Sequence, residues 1–200
     1  MRTEWFLRAL SVAGLIGLSF APSFCSPACG QTKPEKSDEL PEMQITEGGF
    51  LAFDTPKGWE RVEGPGLACF VPKDVPVEDA AVWIYISGAP IGEKESAKNR
   101  AEYIQSDIAE FRKRFADGIV REEDSLELPK AKTKVPVVHF ESNDPKHNSF
   151  EEVIYIEEQN RVLMLVLSAK NAEAFEKTLP IFRDFARSYG GSITMVPDSK

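Results

Sequence analysis

From Phe50 onward the apolar residues of this chain fall in short runs broken by polar turns, and only twice do they recur at helical spacing. Phe50-Leu51-Ala52-Phe53 reads as a short strand, and Thr55-Pro56-Lys57-Gly58 turns out of it, because proline fixes one dihedral and glycine permits a positive one. Leu67 to Val71 reads as the next strand. Ala80 to Ile86 is apolar on both faces, the pattern of a central strand covered on both sides. Ala97, Ala101, Ile104, Ile108, Phe111 and Phe115 then recur at spacings of three and four, one apolar helical stripe with Lys98, Asn99, Glu102, Gln105 and Arg112 off it. Asp117-Gly118 is expected to end that helix, with Gly118 in the left-handed position that follows a helix.

Four more strand-like runs follow: Ile119 to Leu128, Lys134 to Glu141, Phe150 to Glu157 and Val162 to Leu167. Pro129-Lys130, Asn143-Asp144-Pro145 and Glu158-Gln159-Asn160-Arg161 separate them, and short polar turns between consecutive strands predict an antiparallel meander. Val162 to Leu167 is again apolar on both faces. The last element is a helix from Ala172 to Tyr189, with Asn171 as N-cap and a stripe of Phe175, Leu179, Phe182, Ala186 and Tyr189. Pro180 is expected to kink or break it, since a proline there loses a hydrogen bond and crowds the Glu176 carbonyl. Gly190-Gly191 stops the helix, and residues 192–200 read as a frayed tail. Strands in blocks with few helices predict an α+β fold, a mostly antiparallel central sheet with helices on its faces. The ordered part is one domain, residues 43–191, without internal repeats.

The N-terminus follows a different pattern. Arg2 and Arg8 precede an apolar stretch from Ala9 to Ala21, and small residues and prolines run from Pro22 to Gly30. A basic start, an apolar stretch of about 7–15 residues and a small-residue cleavage region make a secretory signal peptide. An uncleaved span would need about 20 apolar residues. Residues 1–30 are therefore read as a signal for export to the periplasm, cell envelope or exterior. Cleavage after Ala28 would leave Cys29 first, open to lipid modification as in bacterial lipoproteins, although Ser26 stands where those proteins carry an aliphatic residue. Cleavage after Gly30 would leave a soluble chain. Residues 31–42, with Lys33-Pro34-Glu35-Lys36-Ser37-Asp38-Glu39 and Pro41, read as a disordered tether.

Charge narrows the partners. The chain has 24 basic and 32 acidic residues. Removing residues 1–28 takes away Arg2, Arg8 and Glu4 and leaves 22 basic against 31 acidic, a net charge of −9. Such a surface suits neither a nucleic acid backbone nor an anionic lipid surface, so a lipid at Cys29 is the expected route to a membrane. Arg112-Lys113-Arg114, the densest basic run, is flanked by Glu110 and Asp117 and reads as a solvated helix face. Of the three cysteines only Cys69 lies in the domain, within an apolar run without local positive charge. It is expected to be a core residue and not a nucleophile.

Candidate chemistry is sparse. His139 and His147 are the only histidines. His139 and Glu141 are two apart on a strand and so share a face. With Asp144 and His147 in the following turn they make a candidate ion-binding set, and Glu151 and Glu152 stand nearby. The spacing matches no His-Glu-x-x-His pattern, and ordinary hairpin-surface residues are the competing reading. No Gly-x-Ser-x-Gly elbow, Ser-x-x-Lys pair or phosphate-cradling glycine loop occurs. No catalytic residue is assigned and no cofactor is expected. Trp59, Trp83 and Tyr85 can serve a ligand surface, with core packing under a helix the expected use.

Phe53-Asp54-Thr55-Pro56-Lys57-Gly58-Trp59 resembles the opening turn of PsbP-like domains, which recurs in the bacterial envelope proteins related to DcrB. Phe175 through Leu179-Pro180-Ile181-Phe182 to Ala186-Arg187-Ser188-Tyr189 is similar to the closing helix of the same group. The resemblance spans about residues 45–190 and implies a central antiparallel sheet with helices on its faces. It also implies accessory or binding roles without chemistry, and it carries over no site residue. The combined expectation is an exported accessory protein that binds a protein partner in the envelope. The alternative is a periplasmic small-molecule or metal-ion module built on the His139–His147 hairpin.

Overall fold

Alternating side chains along a strand divide between two faces, so a run apolar at every position is stable only where both faces are covered. The segment 162–167 is such a run, and it lies in a strand in the interior of the large sheet, Arg161–Ala169, with all but Arg161 buried. The computed structural model describes residues 42–46, 49–144 and 149–194, with side chains described from Leu51 to Gly191. These residues belong to one compact unit, Pro41–Lys200.

Among the described residues the strands are β1 (Glu42–Thr46), β2 (Gly49–Phe53), β3 (Trp59–Val62), β4 (Ala68–Pro72), β5 (Val82–Pro90), β6 (Ile119–Leu128), β7 (Thr133–Ser142), β8 (Ser149–Glu158), β9 (Arg161–Ala169) and β10 (Gly191–Thr194). The helices are α1 (Arg100–Arg114), between β5 and β6, and α2 (Ala172–Arg187), between β9 and β10. Seven strands form an antiparallel sheet in the order β3-β4-β5-β9-β8-β7-β6, and β1-β2-β10 form a smaller antiparallel sheet. The consecutive strands β6 to β9 are the predicted meander, and the fold is α+β.

Each face of the large sheet has its own core. On one, Ile84 and Ile86 of β5, Ile154 and Ile156 of β8, and Leu163, Leu165 and Leu167 of β9 meet Phe175, Phe182 and Phe185 of α2. Leu51 and Phe53 of β2 join this core, where Phe53, Phe70 and Phe185 pack edge to face at centroid separations of 5.5–5.9 Å. On the other face, Tyr155, Met164 and Val166 lie in a core with Ile104 and Ile108 of α1. Asn99 and Asn171 cap the two helices, each accepting a hydrogen bond from a backbone N–H three residues on.

Pro56, Lys57 and Gly58 turn as expected: Trp59 N–H donates to the Pro56 carbonyl at 3.0 Å, and Gly58 has φ +82°. Trp59 and Cys69 are buried. Tyr85 is buried too, while Trp83 is half-buried with the Lys170 amine 4.8 Å from its ring centroid.

Several expectations are corrected. Helix α2 is not broken at Pro180, which lies inside it at an exposed position. The stripe on α1 is narrower than its spacing suggests: Ala101 is exposed, while Tyr103 and Asp107 turn partly inward. Asp107 accepts a 2.5 Å hydrogen bond from the Tyr155 hydroxyl, so a polar pair occupies an apolar slot. Gly118 is not left-handed. It is small because a Cβ there would stand 2.6 Å from the Phe111 ring. Residues 192–194 are not tail: with Gly191 they form β10, which pairs with β2. Residue 42 belongs to β1 and not to the tether. Short strands such as β1, β3 and β10 carry too few positions to declare a period, and their partners are distant in sequence. The signal segment and most of the tether lie outside the described residues.

Candidate functional site

Directly opposed residues of antiparallel strands share a face. The register therefore lays Arg121 of β6, His139 of β7, Glu152 of β8 and Leu167 of β9 in one row beneath α2. The row is charged toward the β6 edge and apolar toward the middle of the sheet. Glu141 and Glu123 lie two residues along from His139 and Arg121 on their own strands, and so on the same face.

Glu152 is 2% exposed and occupies the inward slot between Phe150 and Ile154. A buried carboxylate is costly without a partner, and α2 supplies one. Arg183 Nε donates to Glu152 Oε1 at 3.0 Å and Arg183 Nη2 to Oε2 at 2.8 Å, a two-pronged pair with the guanidinium partly open to solvent. The hydrogen bond to Glu152 raises the Arg183 pKa above its ordinary value, against the opposing effect of burial.

His139 is 5% exposed and its ring packs edge to face against Phe175 of α2, centroids 5.1 Å apart. Its Nε2 has no hydrogen-bond partner, since Glu141 Oε2 at 3.6 Å lies beyond hydrogen-bond reach. Burial pushes its pKa below the ordinary value of 6.5 and Arg121 acts the same way, with Glu141 and Glu123 opposing. Glu141 is itself held: Asn143 Nδ2 donates to its Oε1 at 3.1 Å, and Arg121 Nη1 stands 3.7 Å from its Oε2.

Of the four residues proposed as an ion-binding set, the fold thus brings His139 and Glu141 together. Asp144 is exposed in the turn, its N–H donating to Ser142 Oγ at 3.3 Å. His147 lies outside the described residues. Among those residues no three His, Cys, Asp or Glu side chains gather as they would around a metal ion. Glu151 points to the opposite face and accepts a hydrogen bond from Ser168 Oγ at 3.0 Å. The residues that dominate the site are Glu152 and Arg183, and their pairing was missed. The signal was present: Phe150, Glu152, Ile154 and Ile156 alternate inward, and a carboxylate in an apolar slot requires a cation from another element.

What this arrangement does chemically is hold α2 against β8 and orient His139 beneath it. A second feature, a shallow depression of about 450 Å³ beside the β3–β4 loop, is bounded by Arg61, Glu63, Leu67 and Cys69 and contains no comparable cluster of charged groups. No helix among the described residues is long and apolar enough to cross a membrane.

No protein-family model matches the chain, and no curated protein matches it. In three dimensions it is similar to the cyanobacterial PsbP (CyanoP) of Synechocystis sp. PCC 6803 in its solution structure, with 12% sequence identity and a TM-score of 0.49. The match covers 82% of this chain and 98% of that one and is a likeness of fold alone.

Proposed function

We propose that the chain is an exported accessory protein that binds a protein partner in the envelope and performs no catalysis. One observation carries the reading. The buried ionisable cluster is engaged in packing, Glu152 clamped by Arg183 and His139 edge-on against Phe175, so its groups hold a helix on a sheet. In support stands the export-type N-terminus, with its basic start, apolar stretch and small-residue region. Both faces of the large sheet are occupied by core packing against α1 or α2, which leaves strand edges and loops as the natural places to meet a partner.

Native mass spectrometry of the protein extracted from its own envelope in mild detergent tests the reading. The expected species is a chain starting at Cys29 with a lipid, or near Gln31 without one, accompanied by a second polypeptide. An unprocessed N-terminus would defeat the export reading, and processed chain without any second polypeptide would defeat the partner reading.

One observation favours an ion-binding module instead: the buried, unpartnered His139 Nε2 beside Glu141. That reading requires His147 to complete the set. If the His139→Ala/His147→Ala variant retains bound metal as the parent does, the ion-binding reading falls.

A further inference from the structure

We propose that the outer edge of β6 takes up an extended, basic segment of a partner protein by strand addition. The proposal rests on the partner-binding reading above and specifies its surface. β6 is ten residues long and ends the seven-stranded sheet, whereas β3 at the opposite end has four. Its inner side pairs with β7, and among the described residues no strand pairs with its outer side. An edge strand presents N–H and C=O groups outward as a template for another chain. From Ile119 to Glu123 the register with β7 is regular, and it shifts only between Glu123 and Leu126. The first half of the edge therefore offers an even ladder.

Side chains set the kind of strand that fits. Ile119 is 41% exposed, and Val120 beside it is only half-buried. Glu122, Glu123, Asp124 and Glu127 are all exposed. Arg121, the one cation on this strand, is shared between Glu123 and Glu141, each at 3.7 Å. An added strand thus meets apolar surface at one end and carboxylates along the rest. A second copy of β6 would set carboxylate against carboxylate, which is unfavourable for directly opposed residues. A strand with an apolar end followed by lysines or arginines is complementary, and its binding is weakened by salt.

The probe is a synthetic ten-residue peptide with three valines at one end and lysine alternating with threonine along the rest, added to the full chain and followed by amide NMR shifts and hydrogen exchange. New protection is expected at the outward-facing amides between Ile119 and Glu123, which alternate with those already bonded to β7. Affinity should fall about tenfold in the Glu122→Lys/Asp124→Lys variant, through lost charge complementarity. The same peptide N-methylated at alternate residues keeps its charge but loses its bonding edge, and it should not bind. Equal binding of the methylated peptide, or protection confined to other strands, would overturn strand addition. The broader reading is separated by the envelope extraction. If the charge-reversed variant still co-isolates the second polypeptide found with the parent, the β6 edge is not the docking surface and the accessory reading survives. If the parent co-isolates none, the reading beneath it fails.

Discussion

Removing one partner of a buried ion pair costs more than the pair contributes, because the other charge is left desolvated. Glu152 sits 2% exposed with Arg183 as its clamp. Arg183→Ala should therefore destabilise the fold by about 3 kcal/mol, at the low end for such pairs because the guanidinium is partly solvated. Glu152→Leu/Arg183→Leu should recover much of that loss, since two apolar side chains strand no charge. Urea unfolding of Arg183→Ala, Glu152→Leu, Arg183→Leu and the double variant checks both statements, and additivity of the two leucine variants would show that the pair is not coupled. Cys69 offers a pH-dependent counterpart. Burial raises its pKa from the ordinary 9.0 to about 11. The native state therefore holds the thiol proton more tightly than the unfolded chain. Its contribution to stability is complete below pH 9.0 and is lost as pH rises through about 11. Tyr189 acts in the same direction: it is buried, and its hydroxyl donates to Glu158 Oε1 at 2.6 Å. The melting temperature should fall as pH is raised from about 9 to 11, less steeply in Cys69→Ala, and native Cys69 should resist thiol reagents that label it in urea. Cys69 as a core residue was legible in its apolar run. The Glu152–Arg183 pair was legible only in part: the alternation of β8 turns Glu152 inward, but nothing local singles out Arg183, 31 residues away, as its partner.

At the scale of elements, turns separate conformational need from lack of space. Gly58 and Gly66 both have positive φ, at +82° and +81°. A Cβ on Gly58 would meet nothing, whereas one on Gly66 would stand 2.0 Å from the Ile86 carbonyl oxygen. That approach exists because Leu67 N–H donates to the same oxygen at 2.7 Å, tying the β3–β4 loop to β5. Gly58→Ala should cost about 1 kcal/mol, the usual cost of an unfavourable backbone region, and Gly66→Ala clearly more. Calorimetric melts of the two variants test the order, and equal losses would mean that the loop simply lifts away. The helices make a similar contrast. Phe182→Ala, at the centre of the α2 core, should cost about 3–5 kcal/mol. Ala101→Ser, on the exposed side of α1, should stay within about 0.5 kcal/mol. Periodicity located both helices and the four meander strands because each is long enough to display a repeat. It misjudged Ala101, which is exposed, and it was silent on Asp107, whose hydrogen bond from Tyr155 comes from a strand distant in sequence.

Across the molecule, β10 returns the chain after α2 to pair with β2, whose Leu51 and Phe53 are buried in the α2-side core. A chain stopped after Gly190 should melt at a lower temperature, because β2 loses one of its two partners while those side chains must stay inside. Unchanged melting would show that β1 alone holds β2 in place. The sequence by itself determined the α+β class, the meander, the two helices and the burial of Cys69, since each depends on contacts within an element or between neighbours in the chain. The acidic composition was legible directly from the residues. Tertiary structure alone decided the closure of the small sheet, the Arg121–His139–Glu152 row, its clamp by Arg183 and the exposure of the β6 edge. These depend on which distant segments become neighbours, and the free energy that selects those neighbours belongs to the packed whole and not to any one run of residues.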